Sequence, residues 1–468
     1  MLGRAFDETP IGCMMDVREP FRSKAWYALE TLLRPLGLVP EESAAGGIWY
    51  GPEPPGEDGW LYLKMDPGTP DDITTSFRGQ KPAVWTGGAE RIPVPYSGGL
   101  DDQGDLIASA FYWLAGCDYR ANRSRDQYGR VTGGGSLLEE WGWADGAPVD
   151  EYSRILGGLL RKAGLAGDFH RLPWSLCPTF DIDYLRKWRP GIIYRELIQY
   201  GLLGRGPSPR GRRLARSSWE IIAPGPDPYR AALRRILDEL SRRDVRGSFF
   251  FKAGATSAHD VGYSLNGRFL RKSLGDIARA GHDVGLHPSF HAYNHPGYLA
   301  RERKRLEEAM DRPLAAVRSH YLRWDDPATP RAFRGEGFDL DSTLGFPDRT
   351  GFRNGTCRPF MIWDHEAGAP SGVWEMPLAL MESSLFNREG LDLEGALKRT
   401  RVLADTVRRH GGVLIALWHN VLWDEPDFLG WGEHLLATLD LASETGGSIG
   451  SLSQVFASRT LGQSGQPL

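Results

Sequence analysis

The sequence predicts an α/β protein in two parts: a smaller α/β unit over residues 1–170 and, over residues 174–460, a parallel sheet closed into a barrel. Three observations predict it. From residue 174 onward, strand-like and helix-like stretches alternate about seven times, the pattern of a parallel sheet with crossover helices. The acids and imidazoles of that part fall at the ends of the strand-like runs, where such barrels carry their function. Ahead of residue 170, the strand-like runs are short and divided by Pro and Gly.

Residues 23–33 have helical spacing, with Trp26, Leu29, Leu32 and Leu33 on one face. Short strands are expected at 47–51, 60–64, 83–86 and 91–95. Helices are expected at 105–115 and 149–163, and a turn at 125–130. Trp26, Trp60, Phe111 and Trp113 read as core. This unit shows no catalytic constellation, and the boundary is expected near 166–173. Next comes Thr179-Phe180-Asp181-Ile182-Asp183, a strand that ends in acid. Side chains alternate along a strand, so Asp181 and Asp183 share one face. Two neighbouring carboxylates repel, and one of them needs a cation or a proton. The plainer reading is an acidic turn on the surface.

A long excursion follows, with Arg205, Arg210, Arg212, Arg213 and Arg216 set among Gly and Pro. It reads as a solvated loop. A helix from Pro228 to about Arg243 carries Leu233, Ile236, Leu237 and Leu240 in one stripe. Strands are then expected at 247–252, 281–286, 315–318, 339–343, 372–377, 413–418 and 448–449. Helices are expected between them at 269–280, 296–310, 329–335, 393–410 and 432–444.

The 468 residues are 41% hydrophobic and 25% charged, as in an ordinary globular chain of two or three domains. The net charge of -4 and the mixed signs along the chain argue against a general nucleic-acid binder. Cys13, Cys117, Cys177 and Cys357 have neither zinc-finger nor redox spacing, which fits a reducing compartment. Acid stands near the N-terminus where a signal peptide would be apolar, and no run nears ~20 apolar residues. A cytoplasmic protein without a membrane span is expected. The sequence leaves the oligomeric state open.

His287 and His291 are four residues apart in His287-Pro288-Ser289-Phe290-His291. If Pro288 opens a helical turn, both imidazoles face one point and, with a carboxylate, make a three-ligand site. His419 stands just past the apolar run 413–418, where a core residue is not expected. Glu375 is either a substrate or a supporting residue. Trp324, Trp363, Trp418 and Trp423 could line a sugar-stacking groove, though more of them read as core. The polar loop 352–360 reads as structural or as substrate-contacting.

Four motifs in order carry a resemblance: Thr179 to Asp183; Gly281-His282-Asp283-Val284-Gly285-Leu286-His287 with His291; Arg318-Ser319-His320-Tyr321; and Leu417-Trp418-His419-Asn420. Over roughly residues 174 to 460 the chain resembles the polysaccharide deacetylases, the NodB-homology carbohydrate esterases. The resemblance implies a distorted (β/α)7 barrel and a hydrolase that removes acetyl groups from N-acetylated sugars of a polysaccharide or glycan precursor with one divalent metal, zinc being the expected ion. The first unit resembles an uncharacterised domain that precedes this barrel in a bacterial subgroup. Carried over, Asp183, His287 and His291 hold the metal, Asp181 is the general base and Arg318 keeps it ionised. His419 is the general acid, and the Tyr321 N–H shares the oxyanion. His320 replaces the motif's usual proline and is the alternative third ligand, with His291 preferred. Ile182 separates the two aspartates, and Asn420 replaces an acid, so what orients His419 is open. Competing readings are a small-molecule amidohydrolase of the same fold, an iron oxygenase and an inactive glycan-binding barrel.

Overall fold

A computed structural model describes residues 9–460 except 67–68, 70–72, 74–75, 86–90, 98–103, 122–124, 170–171, 204–209, 223–224 and 426; for 210–213 and 460 it describes only the backbone. The chain folds as a mixed α/β protein whose main sheets are parallel.

The first unit has strands β1 (Thr9–Met15), β2 (Leu38–Glu42), β3 (Gly47–Gly51) and β4 (Trp60–Lys64), in the sheet order β2-β1-β3-β4, all parallel. The antiparallel pair β5 (Ala83–Trp85) and β6 (Ile92–Val94) lies apart from it. Helices Phe21–Leu33, Leu106–Leu114 and Pro148–Lys162 supply its apolar packing. Asp105 caps the second of these by accepting from Ala108 N at 2.9 Å. β1 and β2 were not expected: Gly12 and Pro40 lower their strand signal, yet pairing and burial of alternate residues hold both.

The second unit is built on β7 (Ser175–Ile182), every residue of which is buried. With β8 (Ser248–Phe251), β9 (Asp283–Leu286), β13 (Leu378–Met381) and β14 (Val413–His419), it forms one parallel run in the order β13-β14-β7-β8-β9, to which β15 (Ser448–Ile449) adds beside the start of β7; β10 (Leu340–Asp341), β11 (Phe360–Asp364) and β12 (Ala369–Glu375) form a second sheet in the order β10-β12-β11. Parallel bridges Leu286–Val317 and Val317–Asp341 carry the run on to β10, which pairs in parallel with β12. Helices with amphipathic stripes separate the strands; Asp227 caps Pro228–Arg242 and Asp392 caps Leu393–His410.

Four expectations for this unit are corrected. The strand expected at 315–318 is reduced to the bridges of Val317. β11, antiparallel to β12, and β13 were not foreseen. The arginine-rich loop holds helix Arg210–Ile222, in which Glu220 pairs with Arg216 one turn before it at 2.6 Å and with Lys187 at 3.2 Å; Arg205 lies outside the described residues.

The two units share packing. Leu344, Phe346, Phe360 and Trp363 lie in the same apolar cluster as the first unit's Phe111 and Tyr152. The Tyr27 hydroxyl donates to Met361 O at 2.6 Å, and Asp150 accepts from Cys357 N at 2.8 Å.

Candidate metal and acid–base centre

The register of the parallel strands sets the site. His419, ending β14, stands level with Asp181 near the end of β7, and Asp181 with Phe250 of β8. Past β9, His287 N donates to Phe251 O at 2.8 Å, and Arg318 N to Leu286 O at 3.0 Å. Neighbouring strand ends thus deliver Asp181, Asp183, His287, Arg318, His320 and His419 to one place.

Asp183, His287 and His320 are buried, with one ligand atom from each lying within 4.8 Å of the others. His287 Nδ1 is 2.7 Å from the Arg318 carbonyl. A carbonyl can only accept, so Nδ1 carries the proton and Nε2 offers its lone pair. That Nε2 is 3.4 Å from Asp183 Oδ1 and 3.7 Å from Asp181 Oδ2. His320 repeats the arrangement: Nδ1 is 2.9 Å from Asp260 Oδ1, and Nε2 is 3.5 Å from Asp183 Oδ1. Asp183 Oδ1 is buried without a hydrogen-bond partner. A carboxylate oxygen facing two imidazole nitrogens calls for a cation or a proton between them. Two imidazoles, each steadied through Nδ1, and one carboxylate fit a divalent ion with positions left open.

The electrostatics agree. Burial opposes the charge of Asp183, but His320 and His287 hold its carboxyl well below the usual range. Burial likewise opposes charge on His320, yet Asp183 and Asp260 raise its imidazole above the ordinary value. Asp260 also accepts from Thr256 N, Ser257 N and Phe290 N, at 2.8, 3.0 and 3.0 Å, and lies 3.7 Å from Lys252 Nζ. These donors and His320 outweigh its burial and keep it ionised.

On one side of this group, Arg318 Nη1 contacts Asp181 Oδ1 at 3.1 Å. The guanidinium is wholly buried, fixed by Ser342 O at 2.7 Å, Ser342 Oγ at 2.9 Å and Thr179 Oγ1 at 2.8 Å. On the other, His419 Nδ1 lies 2.7 Å from Glu382 Oε1, and His419 Nε2 lies 3.8 Å from Asp183 Oδ2. Burial disfavours the imidazolium, but Glu382, Asp183 and Asp181 raise it to about 10. Near neutral pH the His419 imidazole is therefore protonated. Tyr321 has φ 62° and Leu322 φ 54°, so two consecutive side-chain-bearing residues sit in the left-handed region.

No family profile and no curated protein matches the chain. Solved structures do resemble it in part. A Mycobacterium smegmatis protein assigned provisionally as a polysaccharide deacetylase is 18% identical, with a TM-score of 0.41 over 65% of this chain and 96% of its own. The allantoinase Puue is 13% identical, with a TM-score of 0.39 over 63% of this chain and 92% of its own. A Bacillus anthracis pseudoenzyme of carbohydrate esterase family 4 is 12% identical, with a TM-score of 0.31 over 62% of this chain and 70% of its own.

His291 is not in the group. Residues 287–289 are not helical, so the four-residue spacing does not bring the two rings together. His291 is exposed, its Nδ1 3.5 Å from an Arg323 nitrogen. The third member is His320, the alternative that the sequence offered. Glu375 is fully buried and accepts from Leu344 N at 3.0 Å. Trp363 and Trp418 are core, as is most of the loop 352–360. Sequence reasoning missed Asp260 and Glu382. Glu382 had a readable signal, since the apolar run 378–381 ends on it as β7 ends on its acids. Asp260 had none: it lies in an irregular stretch with no periodicity.

Proposed function

We propose that the chain is a metal-dependent hydrolase of the deacetylase type, acting on an N-acetylated sugar of a glycan or glycan precursor. The observation that carries this reading is the buried Asp183, His287 and His320 group, flanked by Asp181 on Arg318 and by His419 on Glu382. A closed barrel, the division into 1–170 and 174–460, and a cytoplasmic setting belong to the same reading.

Asp183, His287 and His320 would hold the ion, and zinc suits that donor set. Such an ion polarises an amide carbonyl and acidifies water. Asp181 takes the proton of the attacking water, and Arg318, 3.1 Å from it, keeps that carboxylate aimed. The Tyr321 N–H, held by its left-handed backbone, is the candidate donor to the oxyanion; one such donor supplies about 3 kcal/mol. His419 gives its Nε2 proton to the leaving amine, because an amide anion cannot depart, and Glu382 steadies the ring meanwhile.

The test is acetate release from a panel of N-acetylated sugars by zinc-loaded protein. Release by the wild type and its loss in Asp181→Asn support the reading. Equal release by both proteins removes Asp181 from the mechanism, and no release from any sugar refutes the assignment.

A further inference from the structure

Between the two units lies a cavity of about 470 Å³, within the size range of small-molecule sites. Its lining includes Arg125 and Arg130 from the first unit and Arg323, Arg353, Asn354 and Trp363 from the second. Arg353 is only 4% exposed, yet its Nε has no hydrogen-bond partner. Its guanidinium is held by the Gly345 carbonyl at 3.4 Å and by the Tyr119 ring at 4.7 Å. Arg323 is held by the carbonyls of Tyr128 and Phe290, at 3.1 and 2.8 Å, and by the Tyr293 hydroxyl at 3.1 Å. Among the described residues, neither arginine pairs with a carboxylate. The lining's acids do not supply one: Asp326 pairs with Arg120 at 2.8 Å, and Asp325 accepts from Asn294 at 3.1 Å.

Two more buried polar atoms in this lining lack partners: the indole N–H of Trp363, a donor, and Asn354 Oδ1, an acceptor. The Asn354 amide nitrogen is already engaged by the carbonyls of Trp113 and Leu114, at 3.1 and 3.2 Å, which fixes that oxygen's direction. A buried guanidinium with no carboxylate in contact is costly, as is an orphaned donor or acceptor. An anion answers the guanidiniums and the indole; a hydroxyl on the same molecule answers Asn354.

We propose that this cavity binds a small hydroxylated anion, of the phosphate-monoester or hydroxycarboxylate class. The site borders the metal-ligand group through one turn: Leu322 and Arg323 line the cavity, His320 belongs to the group, and Arg130 donates to the Tyr321 carbonyl at 3.0 Å. The anion is either a charged group on the substrate or a separate effector. Its binding does not depend on the catalytic reading.

The experiment is calorimetric titration of the full chain with glucose 6-phosphate, citrate, inorganic phosphate and, as the neutral control, glucose. Expected are saturable binding of at least one anion, none of glucose, and a roughly tenfold or greater loss of affinity in Arg353→Lys and in Arg323→Gln. Arg323 is only half-buried, so Arg323→Gln keeps the test open if Arg353→Lys does not fold. No binding of any anion, or equal affinity in a folded variant and the wild type, overturns the proposal. Acetate-release assays separate the sources. An anion that changes release from a neutral sugar marks an effector; a higher KM of Arg323→Gln only for phosphorylated or carboxylated sugars marks a substrate subsite. If no acetate is released by any protein, the catalytic reading fails while the titration still decides this one.

Discussion

Glu382 holds His419 at two points, with Oε1 lying 2.7 Å from both the backbone nitrogen and Nδ1 of that residue. Backbone and ring are fixed by one carboxylate oxygen, so Nε2 keeps a set direction toward Asp183 Oδ2.

Glu382→Gln is expected to reduce acetate release by roughly 10- to 100-fold and to move the alkaline limb of the pH–rate profile to lower pH. Glu382 is the leading group that raises His419 to about 10. A profile unmoved by the substitution would separate Glu382 from the proton donor.

The same imidazole couples stability to pH. Its folded value lies above its unfolded one, so the stabilisation is complete below about 6.5 and is lost as pH rises toward about 10. Denaturant titrations of the wild type and His419→Gln should show the wild type losing its advantage across that window. Parallel curves would contradict it.

Metal retention distinguishes the imidazoles. His320→Ala is expected to lose the ion, His291→Ala to keep it, and Asp260→Asn to bind it roughly 10- to 100-fold more weakly. Chelator competition with metal analysis of each variant checks all three. Loss in His291→Ala with retention in His320→Ala would reverse the assignment.

Arg318→Met is expected to cost about 3–5 kcal/mol in urea unfolding, because the buried Asp181 loses its counter-charge. Asp181→Asn in the Arg318→Met background should recover part of that loss. No recovery would mean that the guanidinium matters to Ser342 and Thr179 rather than to the carboxylate.

Asp341 and Glu375 are both buried; burial raises both carboxyls, Asp341 to about 6, and Asp341 raises Glu375 further, well above the usual carboxylate range. Acids with raised folded values cost stability as pH climbs above their unfolded values near 4. Glu375→Gln is therefore expected to flatten the fall in stability between pH 4 and the pair's folded range, read by urea midpoints. An unchanged slope would remove the pair from the pH dependence.

Much of this site was legible because strand ends are legible. Asp181, Asp183, Arg318 and His419 each follow an apolar run, and parallel neighbours in register bring such positions together. The choice between His291 and His320 was not legible. A four-residue spacing means a shared face only in a helix, and whether Pro288 starts one depends on contacts far along the chain, such as Ser289 N to Glu302 at 2.8 Å. β11 escaped because its partner β12 is antiparallel, a pairing that the alternation of strand and helix does not announce. Asp260 escaped because hydrogen bonds, not periodicity, put it behind His320.

The apolar cluster common to both units bears on how the chain can be cut. A chain shortened to begin at Ser175 would leave Leu344, Phe346, Phe360 and Trp363 facing water and would strip Arg130 from the Tyr321 carbonyl. The piece so made would be sticky, and slack at the turn beside Asp183, His287 and His320. The leading unit is thus a fitted lining for the one that follows it, and the two have to travel together.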